Sequence, residues 1–385
     1  MRLLTVLTVV VLSTVSSLYV PPSEDVLPDL GVPNYDCGGD LMKPSKSKPT
    51  NVNSLRPADI NVVMAMGDSL TAANGAGAEP DDPLGVVLQY RGLAFQGGGD
   101  NTLEVHTTIP NILKKYNPKL FGYAQGIGSP GVWEVAKLNV AMPGAKAKDL
   151  PKQARQLVNL LTHHTEDVSI KNDWKILNIF IGGNDACDYC DHPEYVPNQD
   201  VPHIQEAIQI IYDNVPKVIV SITGMLHLEV LRRTETLHPK CKEFHNQECG
   251  CEANKTITNQ QISDYCMQYA ALEMGIQTSG TFEKEDFTVV VQPFFHDITT
   301  PPLTPDGKVN LGFFAPDCFH FSQYGHALVS TWLWKNILEP VGSKTTQGSM
   351  TDPSLPLACP DTACPFIRTT LNSQDCTKYQ TPVHN

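Results

Sequence analysis

Five short runs of the chain are apolar and rich in β-branched residues, and each is closed by small or polar residues: Ile60–Met66, Lys137–Ala141, Trp174–Ile181, Lys217–Ile222 and Phe287–Val291. Such runs read as buried strands. The stretches between them carry apolar residues at helical spacing. Leu150, Ala154, Leu157, Val158 and Leu161 make one stripe behind Asp149 as a cap, and Ile204, Ile208 and Ile211 make another within Val201–Asn214. Thr108-Ile109-Pro110 reads as a helix start, Thr258–Met274 as a further helix, and Ser322 as the cap of a last helix through Leu328, Leu333 and Leu338 that Pro340 ends. Strand and helix patterns alternate at crossover spacing, which predicts a mostly parallel sheet covered by helices on both faces.

The ends and one internal stretch break this rhythm. Met1-Arg2, the apolar run Leu3–Leu12 and the small residues to Ser17 read as a signal peptide over residues 1–17, too short to span a bilayer, so the product is expected to be secreted. Residues 18–57 are an extended lead-in, rich in Pro, Asp, Ser and Lys and containing Cys37. The stretch of about 226–256 is charged and rich in His and Cys, and reads as an insertion. Residues 342–385 are a Cys- and Pro-rich tail laid on the main domain, which occupies 58–341. No internal repeat and no later membrane-spanning run is expected, and Gln380–Asn385 lacks the apolar tail of a lipid-anchor signal.

Composition narrows the partners. A chain of 385 residues, 41% hydrophobic, can bury one large core. The net charge of −13, with no basic patch interleaved with aromatics, excludes nucleic-acid binding and steady attachment to an anionic membrane. Brief contact with lipid aggregates through an apolar rim is compatible with it. Eleven cysteines fit an oxidising compartment, and the odd count leaves one free or paired with another chain. Cys187-Asp188-Tyr189-Cys190 has the spacing of a redox pair, and Cys249-Gly250-Cys251 near His245 could suggest zinc. In an exported chain structural disulfides are the better reading of both. Asn254-Lys255-Thr256 is a glycosylation acceptor.

The strand ends carry the chemistry. The first strand runs into Gly67-Asp68-Ser69-Leu70, a sequence that is also compatible with a plain capping turn. The second ends at Met142-Pro143-Gly144-Ala145, the third at Gly182-Gly183-Asn184-Asp185, and Asp317-Cys318-Phe319-His320 precedes the last helix. In a parallel sheet these ends share one edge. Ser69 needs a base to become a nucleophile; His320 titrates near neutrality and suits that task, with Asp317 to hold its tautomer. The backbone N–H groups of Ser69 and Gly144 and the side-chain amide of Asn184 could face a developing oxyanion. His326, inside the last helix, reads as structural. Phe294-Phe295 and Phe313-Phe314 read as packing, with a role for one pair at a lipid rim left open.

These four blocks, in this order, resemble the SGNH/GDSL hydrolases, and within them the phospholipase B group of animals; the resemblance covers about residues 55–340. It implies a three-layer α/β/α sandwich of flavodoxin-like type. It also implies Ser69 as nucleophile, His320 as base, Asp317 as its orienting acid and Ser69, Gly144 and Asn184 as oxyanion hole, with no cofactor and no metal. Asp68 and Asp185 would brace loops. The implied substrates are phospholipids and lysophospholipids. Members of that group often carry repeated catalytic domains and a membrane anchor, whereas one set of blocks and no anchor is read here. The alternatives are a lysophospholipase or general lipase, a carbohydrate esterase on the same site, and a non-catalytic secreted binding protein.

Overall fold

The computed structural model describes residues 31–380 apart from 193, 238–240, 305 and 352–355. The signal-peptide reading of residues 1–17 lies outside the described residues. Four strands form one sheet: β1 (Ile60–Gly67), β2 (Trp174–Phe180), β3 (Val218–Thr223) and β4 (Phe287–Gln292). They pair in parallel in the order β1-β2-β3-β4, with Gly67 opposite Phe180 and Thr223 opposite Gln292. In chain order the helices are α1 (Ile109–Tyr116), α2 (Trp133–Ala136), α3 (Leu150–His163), α4 (Gly183–Asp188), α5 (Pro197–Asn214), α6 (Glu229–Leu237), α7 (Cys241–Glu248), α8 (Gly250–Ala253), α9 (Asn259–Thr278), α10 (Gln323–Leu338) and α11 (Thr370–Gln374).

Lys137–Ala141, expected as a strand, does not form one. Lys137 sits at φ 45°, ψ −116°, which breaks the extended run at its start. The segment instead follows the free edge of β1 by separate bonds: Ala65 N donates to Leu138 O, Val140 N to Ala65 O, and Met142 N to Gly67 O. Counting this edge segment, β1 is flanked by the stretch that follows it on one side and by β2 on the other. That is the flavodoxin-like order, and β1 ends at the point where the direction of winding reverses.

Each sheet face buries one apolar layer. On one face Met64, Met66, Leu177, Ile179, Val220 and Val289 meet Leu157 and Leu161 of α3, Ile204, Ile208 and Ile211 of α5, and Ile262 and Tyr269 of α9. On the other face Ile60, Val63, Trp174, Ile176 and Ile219 meet Ile112 and Leu113 of α1 and Leu328, Leu333 and Trp334 of α10. The architecture is therefore three layers, α/β/α. Thr108, Thr258 and Ser322 cap α1, α9 and α10 by accepting from Asn111, Gln261 and Gly325 N–H groups. Asp149 acts differently, accepting from Lys146 N ahead of α3.

Five disulfides staple the outer segments: Cys37–Cys359, Cys187–Cys249, Cys190–Cys251, Cys241–Cys318 and Cys364–Cys376. Cys187 and Cys190 do not pair with each other, so the spacing of a redox pair is coincidental. Each instead ties α4 and the turn after it to the Cys249–Cys251 stretch. Cys266 is free and buried. The segments before β1 and after α10 meet: Ile367 N donates to Leu55 O, and Asn372 Nδ2 to Asn53 O. Among the described residues no helix is long and apolar enough to cross a membrane.

Candidate active site

Ser69 stands in the turn directly after β1, 8% exposed. The turn is tight, with Ala72 N donating to Asp68 O and Asn74 N to Ser69 O. Gly67 has φ +156°, and a Cβ there would fall 2.3 Å from Phe180 O and from Thr71 Oγ1, so only glycine lets β1 bend this close to β2. Gln153 of α3 holds the bend from the side. Its Oε1 accepts from Gly67 N at 2.9 Å and its Nε2 donates to Gly67 O at 2.8 Å. Asp68 accepts from Leu70 N. Burial pushes its carboxyl up to about 6, against the pull of that N–H and of His320.

The loop before α10 brings the second and third groups. Ala315 N donates to His320 O, closing the loop on itself. Asp317 Oδ1 accepts from both Phe319 N and His320 N at 3.0 Å, so one carboxylate oxygen is spent on shaping the loop. The other oxygen lies 2.6 Å from His320 Nδ1, and His320 Nε2 lies 2.8 Å from Ser69 Oγ. Asp317 and His320 are 1% and 4% exposed. Burial by itself would raise Asp317, but the charge and hydrogen bond of His320 outweigh it and hold the carboxyl below the usual range. For His320 burial pulls downward, and the charge and hydrogen bond of Asp317, with Glu248 and Asp68 adding, carry it above an ordinary histidine. The two shifts agree in sense, as expected of a carboxylate–imidazole pair.

The candidate oxyanion donors come from two neighbouring loops. Because Gly67 pairs with Phe180, the turns leaving β1 and β2 emerge side by side. Gly182 takes φ +112°, where a Cβ would meet the Tyr269 ring at 2.7 Å, and Asn184 follows in the first turn of α4. Asn184 Nδ2 donates to Ala145 O at 3.0 Å, which leaves its second amide hydrogen uncommitted. The backbone N–H groups of Ser69 and Gly144 find no acceptor among the described residues. Asp185 accepts from Ala147 N through both oxygens, bracing the Gly144 loop; burial, with Asp200 adding, pushes it up to about 7.

An apolar cleft opens on Ser69 and Asn184. Its walls include Phe180, Met225, Leu231, Ile298, Phe313 and Phe319. Phe295 and Phe314 line it too, whereas Phe294 is wholly buried. All four phenylalanines are buried in one core layer, in keeping with the packing reading, and Phe295, Phe313 and Phe314 also border the cleft. They follow β4 or precede α10 on the edge where Ser69 lies, and so face the cleft. His326 is buried in α10 and accepts from Phe95 N at 3.2 Å, a structural placement.

Two supports escape a reading of the sequence. Gln153 is one. Arg91 is the other: wholly buried, it donates to Gly128 O, Asn139 O and Ala141 O and to Gln89 Oε1, fixing the edge segment that leads to Gly144. Burial lowers its guanidinium to about 9. Nothing in the local pattern of either residue distinguishes it from a surface polar group.

Residues 63–333 match the family described as GDSL-like Lipase/Acylhydrolase. Over 343 residues the chain is 40% identical to phospholipase B1, membrane-associated, of Homo sapiens, an alignment covering 86% of this chain and 23% of that protein. The mouse and rat proteins of the same name are also 40% identical, over 337 and 338 residues and 22% and 23% of their lengths. The chain thus spans less than a quarter of the curated relatives it matches.

Proposed function

The chain belongs to the GDSL-like lipase/acylhydrolase family, and from that premise we propose that it hydrolyses acyl esters of phospholipids and lysophospholipids through an acyl-enzyme on Ser69. His320 takes the Ser69 proton as Oγ attacks the acyl carbonyl. The new C–O bond forms, the carbonyl oxygen becomes the oxyanion, and the N–H groups of Ser69 and Gly144 with the Asn184 amide receive it. His320 then gives its proton to the departing alcohol as the ester C–O bond breaks. Water, activated by the same imidazole, releases the fatty acid. Asp317 keeps the imidazole in the tautomer that this cycle needs.

The observation that carries the reading is the continuous line of hydrogen bonds from Asp317 through His320 to Ser69, 2.6 and 2.8 Å long, at the wall of an apolar cleft. The apolar walls favour a long acyl chain over the polar acyl donors of a carbohydrate esterase. The intact relay argues against a non-catalytic binding role. Five disulfides support a secreted, extracellular protein. We place its hydrolase unit at 58–341, with the insertion at about 226–256, the lead-in before it and the tail after it. Asn254 would carry the glycan, its Oδ1 accepting from Thr256 N and Oγ1 in an exposed turn.

The test is Ser69→Ala in the full-length protein, with released fatty acid and lysophospholipid measured by mass spectrometry on diacyl- and lysophosphatidylcholine. Loss of both products with folding and secretion intact is expected. Undiminished turnover overturns the nucleophile. A wild type that cleaves only soluble short esters overturns the substrate class.

A further inference from the structure

Two walls of the cleft come from segments that follow neighbouring strands. Met225, Leu226 and Leu228 stand between β3 and α6, and Phe295 and Ile298 follow β4. Thr223 pairs with Gln292, so the two segments leave the sheet side by side. Apolar contact alone does not set their separation, because it has no direction. His227, a buried cleft-lining residue of the first segment, makes a contact that does. Its Nε2 lies 2.6 Å from His296 O in the second segment, and its Nδ1 lies 2.9 Å from Glu229 Oε1 in the first turn of α6.

Both partners accept. A carbonyl oxygen has no hydrogen to give, so Nε2 carries a proton, and an ionised carboxylate takes its hydrogen from Nδ1. The ring that satisfies both at once is the imidazolium. Electrostatics agrees with the geometry. The hydrogen bond and charge of Glu229, with the His296 carbonyl and Asp297 adding, lift His227 above an ordinary histidine against the pull of burial. Burial alone would raise Glu229, but the hydrogen bond and charge of His227 hold it below the usual carboxylate range. Asp297 has its own partner in His296 Nδ1, 2.8 Å away. Cys266 of α9 faces Glu229 as a neutral thiol, which burial pushes up to about 12.

We propose that His227 is a positioning residue for the acyl chain: as an imidazolium it clasps the β3–α6 segment to the segment after β4, and so holds the cleft at the width that binds a long chain. The inference rests on the reading of this cleft as an acyl-ester site. Loss of the proton turns a lone pair of Nδ1 toward the Glu229 carboxylate. The ring then cannot keep both contacts, and the two walls part. Because folding favours the bound proton, the clasp is complete at acid pH and is lost as the pH rises through a value above 6.5.

The test measures KM and kcat of the full-length protein on butyryl and decanoyl p-nitrophenyl esters, both kept monomeric. In His227→Gln one donor atom faces two acceptors, so one contact is lost. Its KM for the decanoyl ester should rise about tenfold, the worth of a hydrogen bond to a charged group, while kcat on the butyryl ester falls by less than about threefold. In the wild type the decanoyl KM should climb as the solution turns alkaline and the butyryl KM should stay level. Glu229→Gln supplies the rescue. Its amide can donate to a neutral Nδ1 while Nε2–H keeps His296 O, so a low decanoyl KM should persist and its pH dependence should vanish. A wild-type decanoyl KM that is level from neutral to alkaline pH overturns the proposal without any variant having to fold, and so does a folded His227→Gln with the wild-type ratio of the two KM values. A wild type that hydrolyses neither ester overturns the acyl-ester reading and this inference with it, an outcome distinct from those two.

Discussion

Asp317→Asn isolates the orienting carboxylate with almost no change of volume. The asparagine carbonyl can replace Oδ1 and keep the N–H bonds of Phe319 and His320, so the loop should hold its shape. The change falls on the other atom. Oδ2 is 2.6 Å from His320 Nδ1, and an NH2 group there donates where a carboxylate accepts. Nδ1 must then accept, and the ring proton moves to Nε2, 2.8 Å from Ser69 Oγ. The lone pair that would take the serine proton is gone, and no charge remains to stabilise an imidazolium. Losing tautomer and charge together is worth about 10⁴-fold in kcat, or about 5 kcal/mol of barrier. The assay is kcat on a short-chain ester below its critical micelle concentration, so that binding to lipid aggregates does not enter, with thermal unfolding run in parallel. KM should stay close to wild type, because Asp317 is not among the cleft-lining residues. A folded variant with kcat within tenfold of wild type would refute the placement of Asp317 in the relay.

Asn184→Ala removes one side-chain donor and should cost about 3 kcal/mol of barrier, near 10²-fold in kcat, with KM little changed; turnover near wild type on the same soluble ester contradicts the oxyanion role. Since His320 is held above 6.5 and must be neutral to act, kcat/KM should rise with pH through an apparent pKa above that value, and Glu248→Gln, which removes one of the raising charges, should move the limb down; a wild-type limb at or below 6.5 contradicts this. Gln153→Leu orphans a buried N–H and a buried C=O of Gly67 and should lower stability by about 2–4 kcal/mol in denaturant unfolding, with an unchanged midpoint as the opposing result.

How much of this could be read from the sequence depends on how local the determinant is. β1–β4 announce themselves because a strand buried on both faces has no polar alternation to hide it, and the caps Thr108, Thr258 and Ser322 announce α1, α9 and α10 because the capping bond spans three residues. Lys137–Ala141 looks the same in sequence and yet forms only edge bridges, because pairing there depends on a partner more than seventy residues away and on the backbone reversal at Lys137. Ser69 and Asn184 are legible as residue types at strand ends, and Asp317 and His320 as a pair just ahead of the last helix. Gln153 and Arg91 are not, because a polar side chain becomes a core residue only when distant backbone groups meet it. Disulfide partners are hidden for the same reason: Cys241 and Cys318 lie 77 residues apart.

The demand on the relay explains why so many distant residues converge on so short a loop. The Ser69–His320 contact joins two segments 251 residues apart, and the proposed proton transfer between them requires their separation to stay near 2.8 Å. Within Ala315–His320, Cys318 adopts φ +60°, a conformation that an L side chain does not prefer and that the rest of the structure must enforce. Three contacts of different kinds do so. Asp317 Oδ1 pins the following two N–H groups, the Cys241 disulfide holds the Cys318 side chain, and His245 holds its carbonyl. On the other side of the contact, Gln153 clamps Gly67. The stretch that supplies Cys241 and His245 is therefore part of what holds the Asp317–His320 loop in place. Releasing any one of these contacts should widen the distribution of Ser69–His320 distances, and so lower kcat before it alters substrate binding.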